Sequence, residues 1–493
     1  MLRKYILEFI VFISGAVVMI YELVGARLIS PYVGTSIYVW TSLIGVILGS
    51  LSLGYHVGGK LADKKTGWHL FSAIIFSAGI FISITVFTKN IILDSIESFN
   101  LHSEYTALIA SLFLFSPASV LLGMITPYSV KLRMTNLENS ASTVGNLYAV
   151  STIGSIAGTF TAGFFLIPFF GTTKLLLFLS ITLLALSILA CHKMYPKPKI
   201  ILIVLFSSLT LFEPTKYILE KKDVIEIDTP YNKVWIKYAF EPKSKNVAVF
   251  LSTDVFAFQS AMFLHDDELV FEYTKYFRLA KHFNLNIRRA LMIGGCGYSY
   301  PKDFLNKFPG ATMDVVEIDP GMTRIAQKYF NLTHNNRLNI YHEDARVFLN
   351  KTENKYDVIF GDAFNASFSV PYQLSTKEAI EKMYKALNND GLVIQNIDSA
   401  IDGQKGEFLR AEIATYKQYF PHVYVFKVYN EDSHEAQTII LIALKNSKTP
   451  AFESDDKELS AYLQTLWKKE IPMDMPVITD EYAPVEYYRY RSI

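Results

Sequence analysis

The chain has 493 residues, 51% of them hydrophobic, and a formal net charge of +1. It is longer than one ordinary domain and richer in apolar residues than a wholly soluble protein. Residues 1–212 hold 13 Lys and Arg against 7 Asp and Glu and the remainder holds 34 against 39, so neither half has the basic excess of a nucleic-acid binder. Two cysteines, Cys191 and Cys296, exclude a disulfide framework and a multi-cysteine metal site, and no metal is expected.

Long apolar segments run over Tyr5–Ile29, Val39–Val57, Leu70–Phe87, Ala107–Met124, Val144–Phe169 and Leu175–Cys191. Each is near the ~20 residues that a helix needs to cross a bilayer. They predict an α-helical polytopic membrane domain of about six helices over residues 1–199, with the lipid bilayer as its partner. The first segment is too long for a cleavable signal peptide, and several more follow it. Gly154 with Gly158, and Gly45 with Gly49, have the spacing of small residues where helices pack closely in lipid.

Loop charges orient these spans. With the N terminus in the cytoplasm, that side collects Arg3, Lys4, Lys60, Lys64, Lys65, Lys131, Arg133, Lys193, Lys197 and Lys199, while the other side holds Arg27, Lys89 and Lys174. Six spans return the chain to the cytoplasm. The apolar run Ile200–Phe212 is short for a seventh span, so residues 200–222 read as an interfacial segment and linker. The expected location is an inner or plasma membrane, with the second half of the chain cytoplasmic.

From Asp223 the pattern becomes alternating β-branched and aromatic residues, which predicts a small antiparallel sheet over 223–275. Asp254–Met262 reads as a loop and Asp267–Phe277 as an amphipathic helix. Residues 276–493 then alternate strand and helix, which calls for a mostly parallel sheet covered on both faces. The organising stretch is Arg288–Asp319. Its apolar run Ala290–Ile293 breaks into Gly294, Gly295 and Gly297, where the backbone can take positive φ and let a ligand approach.

About twenty residues on, Glu317 closes a second strand, placed to accept both hydroxyls of a ribose. Asp344-Ala345 ends a third strand and Asp362 a fourth. In an open parallel sheet the ligand crevice lies outside the carboxyl ends of the strands, so Glu317, Asp344 and Asp362 should converge there. Asp362 can take a proton or hydrogen bond from an amine or stabilise a sulfonium. Cys296 sits inside the glycine turn, where a small buried filler is the expected role rather than a catalytic thiol.

From about Asp223 to the C terminus the chain resembles spermidine synthases, polyamine aminopropyltransferases that carry a small β domain ahead of a methyltransferase-like Rossmann sheet. The matching pieces are the turn at Gly294, VVEIDPG at Val315–Gly321, Glu343-Asp344-Ala345 and YDVIFGDAF at Tyr356–Phe364. With helices in front, and with Pro371–Glu378 and Thr479–Glu486, it is similar to the membrane-fused branch of that family. The resemblance implies decarboxylated S-adenosylmethionine, or S-adenosylmethionine itself, as co-substrate. It gives Glu317 the ribose, Asp344 the adenine amino group, with Ala345 beside it, and Asp362 the attacking amine.

The chain also departs from that pattern. Its turn reads GGCGYS where soluble members have GGGDGG, Asn365 stands where they carry a second aspartate, and Phe271, Glu272 and Tyr273 replace a Tyr-His-Glu cluster. Gln259, Asp254, Glu272, Asn365 and Glu486 are the candidate substrate residues for a small-molecule amine. The leading expectation is a membrane-anchored aminopropyltransferase, with a homodimer as one expected assembly. Methyl transfer and cleavage of S-adenosylmethionine to methylthioadenosine use the same pocket. A transporter-like protein with a nucleoside-sensing domain is the reading from another class.

Overall fold

The computed structural model describes residues 2–33, 37–99, 103–134, 140–191, 196–212, 224–255, 257–363 and 371–492. The chain divides into two compact units, Met1–Lys222 and Asp223–Ile493.

Among the described residues the first unit has six helices long and apolar enough to cross a membrane. They are Leu2–Val33, Ile37–Lys64, Trp68–Glu97, Ser103–Arg133, Ser140–Thr161 with its π-helical continuation Ala162–Leu166, and Thr172–Ala190. A seventh helix, Pro196–Phe212, takes in the apolar run read as interfacial and has 17 residues. Small residues decide where two of these helices touch. A Cβ on Gly154 would collide with the Phe12 carbonyl and one on Gly158 with Ala16, so the fifth helix lies backbone-close against the first. Gly45 and Gly49, expected to act likewise, have nothing within 4 Å of where a Cβ would stand. Their neighbours Ile44 and Leu48 are exposed within this unit, so this stretch of helix turns an apolar face outward.

The second unit opens with a four-stranded antiparallel sheet in the order β1-β2-β3-β4, formed by β1 Val224–Asp228, β2 Lys233–Phe240, β3 Val247–Ser252 and β4 Ser260–Phe263. β4 corrects the loop expected over Asp254–Met262. Its four residues pair with Ala248–Leu251 of β3 and bury Ser260, Ala261 and Phe263, a gain that arises only on docking. The expected helix over Asp267–Phe277 is regular only from Glu272 to Tyr276, and continues as a 3-10 turn over Phe277–Leu279.

The main sheet has seven strands in the order β10-β11-β9-β8-β5-β6-β7. These are β5 Arg289–Ile293, β6 Thr312–Val316, β7 Leu338–Tyr341, β8 Tyr356–Gly361, β9 Leu387–Ser399, β10 His422–Lys427 and β11 Gln437–Leu444. β5 to β9 pair in parallel, and β11 runs antiparallel to both its neighbours, β9 and β10. Side chains alternate between two cores, one on each face. Ala290 and Met292 of β5 join the core that holds Phe277, Phe304 and Phe360, while Leu291 and Ile293 join that of Phe348, Ile380 and Phe408.

The strand order reverses at β5, which lies between β6 and β8, and such switch points open the crevice of a doubly wound sheet. Register aligns the strand ends there. Ile293 pairs with both Val316 and Gly361, and Val316 with Tyr341, so four strands finish in one row.

The contact of Gly154 with the first helix can be tested directly. Gly154→Leu should destabilise the first unit by about 1–3 kcal/mol through overpacking, whereas Gly145→Leu, with open space around the glycine, should be tolerated. Thermal unfolding of the full chain in detergent reads the difference. Equal melting temperatures for the two variants would contradict this packing.

Candidate active site

Beyond the row of strand ends the backbone ladder runs on by one residue. The Gly294 N–H donates to the Val316 carbonyl at 2.9 Å, the Glu317 N–H to Tyr341 at 3.0 Å and the Asp362 N–H to Ile293 at 2.9 Å. These bonds bring Gly294, Glu317 and Asp362 side by side. Gly294 has φ of 92°, and a Cβ on it would strike the Asp362 carbonyl, so the turn beside β8 requires glycine. A cavity of about 380 Å³ opens here, lined among others by Gly294, Gly295, Glu317, Asp344, Ala345 and Asp362. This is the size of a small-molecule site.

Glu317 is 8% exposed and grips the glycine turn. Its Oε2 accepts from the Gly295 N–H at 2.9 Å and the Cys296 N–H at 3.0 Å, and its Oε1 accepts from the Asp319 N–H at 2.9 Å. Burial pushes the carboxyl above the usual range, against the downward pull of those three N–H groups. An ionised carboxylate offers about four acceptor positions, so a further donor such as a ribose hydroxyl can still be taken. Asp319, next along, caps the helix Pro320–Tyr329 through the Gly321 N–H at 2.8 Å and accepts from Thr229 and Asn232 of the β1–β2 turn. The small sheet is thereby tied to the rim of the site.

Asp344 caps the helix Ala345–Lys351, its Oδ1 accepting from the Val347 N–H at 3.0 Å. Asp362 is held by two donors: the Tyr273 hydroxyl reaches its Oδ2 at 3.1 Å and Asn396 Nδ2 its Oδ1 at 2.9 Å. Burial pushes this carboxyl up to about 6, although both hydrogen bonds pull it down and Asp398 adds to the rise. The group is therefore ionised at neutral pH yet more basic than an ordinary aspartate. The Cys296 thiol is pushed up by burial and then by Glu317 and Asp362, which leaves it protonated and makes it filler rather than nucleophile.

The other expected residues divide. Gln259 lines the cavity, but its amide is engaged within its own loop, donating to Asp254 at 3.0 Å and accepting from the Thr253 N–H at 2.6 Å. Asp254, 2% exposed, braces that loop and is not among the lining residues. Gly297 packs against Ser260 and Phe330 beneath the turn rather than facing the cavity. Glu272 pairs with Lys275 at 3.1 Å, and neither it nor Glu486 lines the cavity. These two corrections share a cause: a helical carboxylate reaches a site only if its face of the helix turns inward, and linear spacing does not settle that. Asn365 lies outside the described residues.

Sequence reasoning missed Asn396, Asp398 and Arg489, all of which line the cavity. Asn396 and Asp398 interrupt the apolar run at the carboxyl end of β9, a signal of the same kind as the acids ending β6 and β8. Arg489 is buried at 4% exposure, and its Nη2 pairs with Asp398 Oδ2 at 3.1 Å while its Nη1 donates to the Asp398 carbonyl. Thr438 donates to Asp398 Oδ1 at 3.1 Å. Nothing in the linear pattern of the last residues points to Arg489.

The family model described as "Spermine/spermidine synthase domain" matches residues 271–451. A polyamine aminopropyltransferase of Vibrio vulnificus (strain CMCP6) is 30% identical over 202 residues, which are 40% of this chain and 65% of that protein. The chain thus spans less than two thirds of that relative's own length. Polyamine aminopropyltransferase 2 of Aquifex aeolicus (strain VF5) is 22% identical over 410 residues, covering 79% of this chain and 78% of the relative. That stretch is longer than the second unit and so includes part of the helical one. Among solved structures, a probable spermidine synthase from Corynebacterium glutamicum ATCC 13032 aligns with TM-score 0.40 and 22% identity, over 48% of this chain and 86% of that one. The C-terminal part of the chain, over residues 271–451, is a domain of the spermine/spermidine synthase family.

Proposed function

We propose that the second unit transfers an aminopropyl group from decarboxylated S-adenosylmethionine to an amine, and that the six apolar helices anchor it to a membrane with this unit in the cytoplasm. The observation that carries the reading is Asp362, a half-buried carboxylate beside the glycine turn whose proton affinity is raised to about 6. Adenosine binding alone would need only Glu317 and Asp344, so a third, basic carboxylate points to chemistry rather than sensing. The anchoring rests on the six helices and on the excess of Lys and Arg on one side of them.

In this reading adenosine lies across the tips of β5, β6 and β7. The ribose hydroxyls bond to Glu317, the adenine amino group bonds to Asp344, and the bare backbone at Gly294 and Gly295 allows close approach. The sulfonium then sits near Asp362. A protonated amine has no lone pair, so it attacks only after losing a proton, and Asp362 is the group placed to accept that proton. The amine nitrogen bonds to the carbon next to sulfur while the carbon–sulfur bond breaks. Its electron pair stays on sulfur, and methylthioadenosine leaves as a neutral thioether. Because the leaving group is already activated, most of the catalysis is orientation of the two reactants.

The direct test incubates the purified full chain with decarboxylated S-adenosylmethionine, or with S-adenosylmethionine, in the presence and absence of diamines, and reads products by mass spectrometry. Methylthioadenosine in equal amount with an aminopropylated amine is expected. Methylthioadenosine without an acceptor product, adenosylhomocysteine, or binding without turnover would each overturn the reading in favour of cleavage, methyl transfer or sensing.

Asp362→Asn should lower turnover by about 10² and leave nucleoside affinity nearly unchanged. The wild-type rate should rise with pH through about 6 as the carboxylate forms. Stability has the opposite sign. The folded-state value lies above the 3.8 of an unperturbed aspartate, as in the unfolded chain, so the stabilising contribution of Asp362 is fully present below 3.8 and lost as pH rises through about 6. The variant should therefore melt no lower than wild type at pH 7.5. A lower melting temperature there, or equal loss of binding and turnover, would make Asp362 a structural or binding residue.

A further inference from the structure

Asn396 is 7% exposed, lines the cavity, and spends its Nδ2 on Asp362 Oδ1 at 2.9 Å. The other half of the amide is unspent: among the described residues Asn396 Oδ1 is a buried oxygen with no hydrogen-bond partner. A buried acceptor left unsatisfied carries the full cost of its desolvation, so such a group is rare unless a ligand completes it. The orientation of the amide is set by its neighbour, because turning Oδ1 toward Asp362 would oppose an oxygen to a carboxylate. The second carboxylate at this end of the cavity, Asp398, is already matched by Arg489 and Thr438, which leaves Asp362 and Asn396 Oδ1 as adjacent acceptors.

We infer that Asn396 positions Asp362 through its Nδ2 and, through its Oδ1, binds the second N–H of the attacking amine, so that the pair selects a primary over a secondary amine. This rests on the aminopropyl-transfer reading above. Once Asp362 has taken a proton from the ammonium and released it to solvent, the neutral primary amine keeps two N–H groups. One satisfies Asp362 and the other Asn396 Oδ1, and with both fixed the lone pair has one direction left, toward the electrophilic carbon. A secondary amine has one N–H and a carbon in place of the other. It would leave the Asn396 oxygen buried and bare, which is how a polar site rejects an analogue lacking one donor.

The test compares wild type, Asn396→Leu and Asn396→Gln on the best acceptor among three- to six-carbon α,ω-diamines and on its N,N′-dimethyl derivative. Wild type should favour the primary amine by about tenfold to a hundredfold in kcat/KM. Asn396→Leu should lose a similar factor on the primary amine and little on the secondary one, so that the preference collapses. Its acidic pH limb should move upward, since Asp362 loses a donor that holds its proton affinity down. Asn396→Gln, which keeps both amide groups, should restore part of the preference. Thermal unfolding checks that Asn396→Leu still folds, since it removes one unsatisfied acceptor but also the donor to Asp362. A leucine variant that transfers to the primary amine at a reduced rate with preference and pH limb unchanged would overturn the role assigned to Asn396 and leave the aminopropyl reading standing. A wild-type chain that aminopropylates no amine would overturn both.

Discussion

The site depends on hydrogen bonds that extend the parallel ladder one residue past its strands. Gly294 to Val316, Glu317 to Tyr341 and Asp362 to Ile293 hold the first residues beyond the sheet in the register of the strands themselves. Three residues on three separate loops are thus held in the register of the sheet. The glycine at 294 is the steric condition for this arrangement, since its backbone touches that of Asp362. Glu317 then closes the array by bonding the turn that follows β5, so the residue expected to hold the nucleoside also shapes the surface on which it would lie.

Two kinds of carboxylate result from this construction. Glu317 and Asp344 have their charge met by backbone N–H groups at a turn and a helix start, an economical way to keep an acid near a nucleoside without a counter-charge. Among the described residues Asp362 is met by a hydroxyl and an amide, and burial outweighs their pull and leaves it more basic. Asp398 is matched by Arg489. On the proposed reading, the partners of these acids separate a binding end of the cavity from a reacting end, and the orphaned oxygen of Asn396 lies at the latter.

Much of this was legible in the linear pattern. The strands β5, β6 and β8 are apolar runs stopped by glycine or an acid, and those stops are the residues that meet at the cavity. The six helices announce themselves by length and apolar composition. What stayed illegible depends on neighbours that are distant in the chain. β4 gains its burial only against β3. Asn396 and Asp398 become site residues only once β9 is known to lie beside β8. Arg489 arrives from a helix 91 residues beyond its partner Asp398. Asp254 and Glu272 were plausible amine ligands by position, but their side chains are spent on Gln259 and Lys275. Gly45 and Gly49 show the same limit in the helical unit, where spacing suited a close contact that the neighbouring helices do not make.

On the proposed reading, Glu317 holds the sugar of a nucleoside laid across the strand tips. The most direct measurement is calorimetric titration of the full chain, wild type and Glu317→Ala, with 5′-methylthioadenosine and with its 2′,3′-dideoxy analogue. Removing the two hydroxyls should weaken binding to wild type by about tenfold to a hundredfold and make little difference to Glu317→Ala. Wild-type protein that binds both ligands equally well, or a variant that keeps the full discrimination, would contradict it.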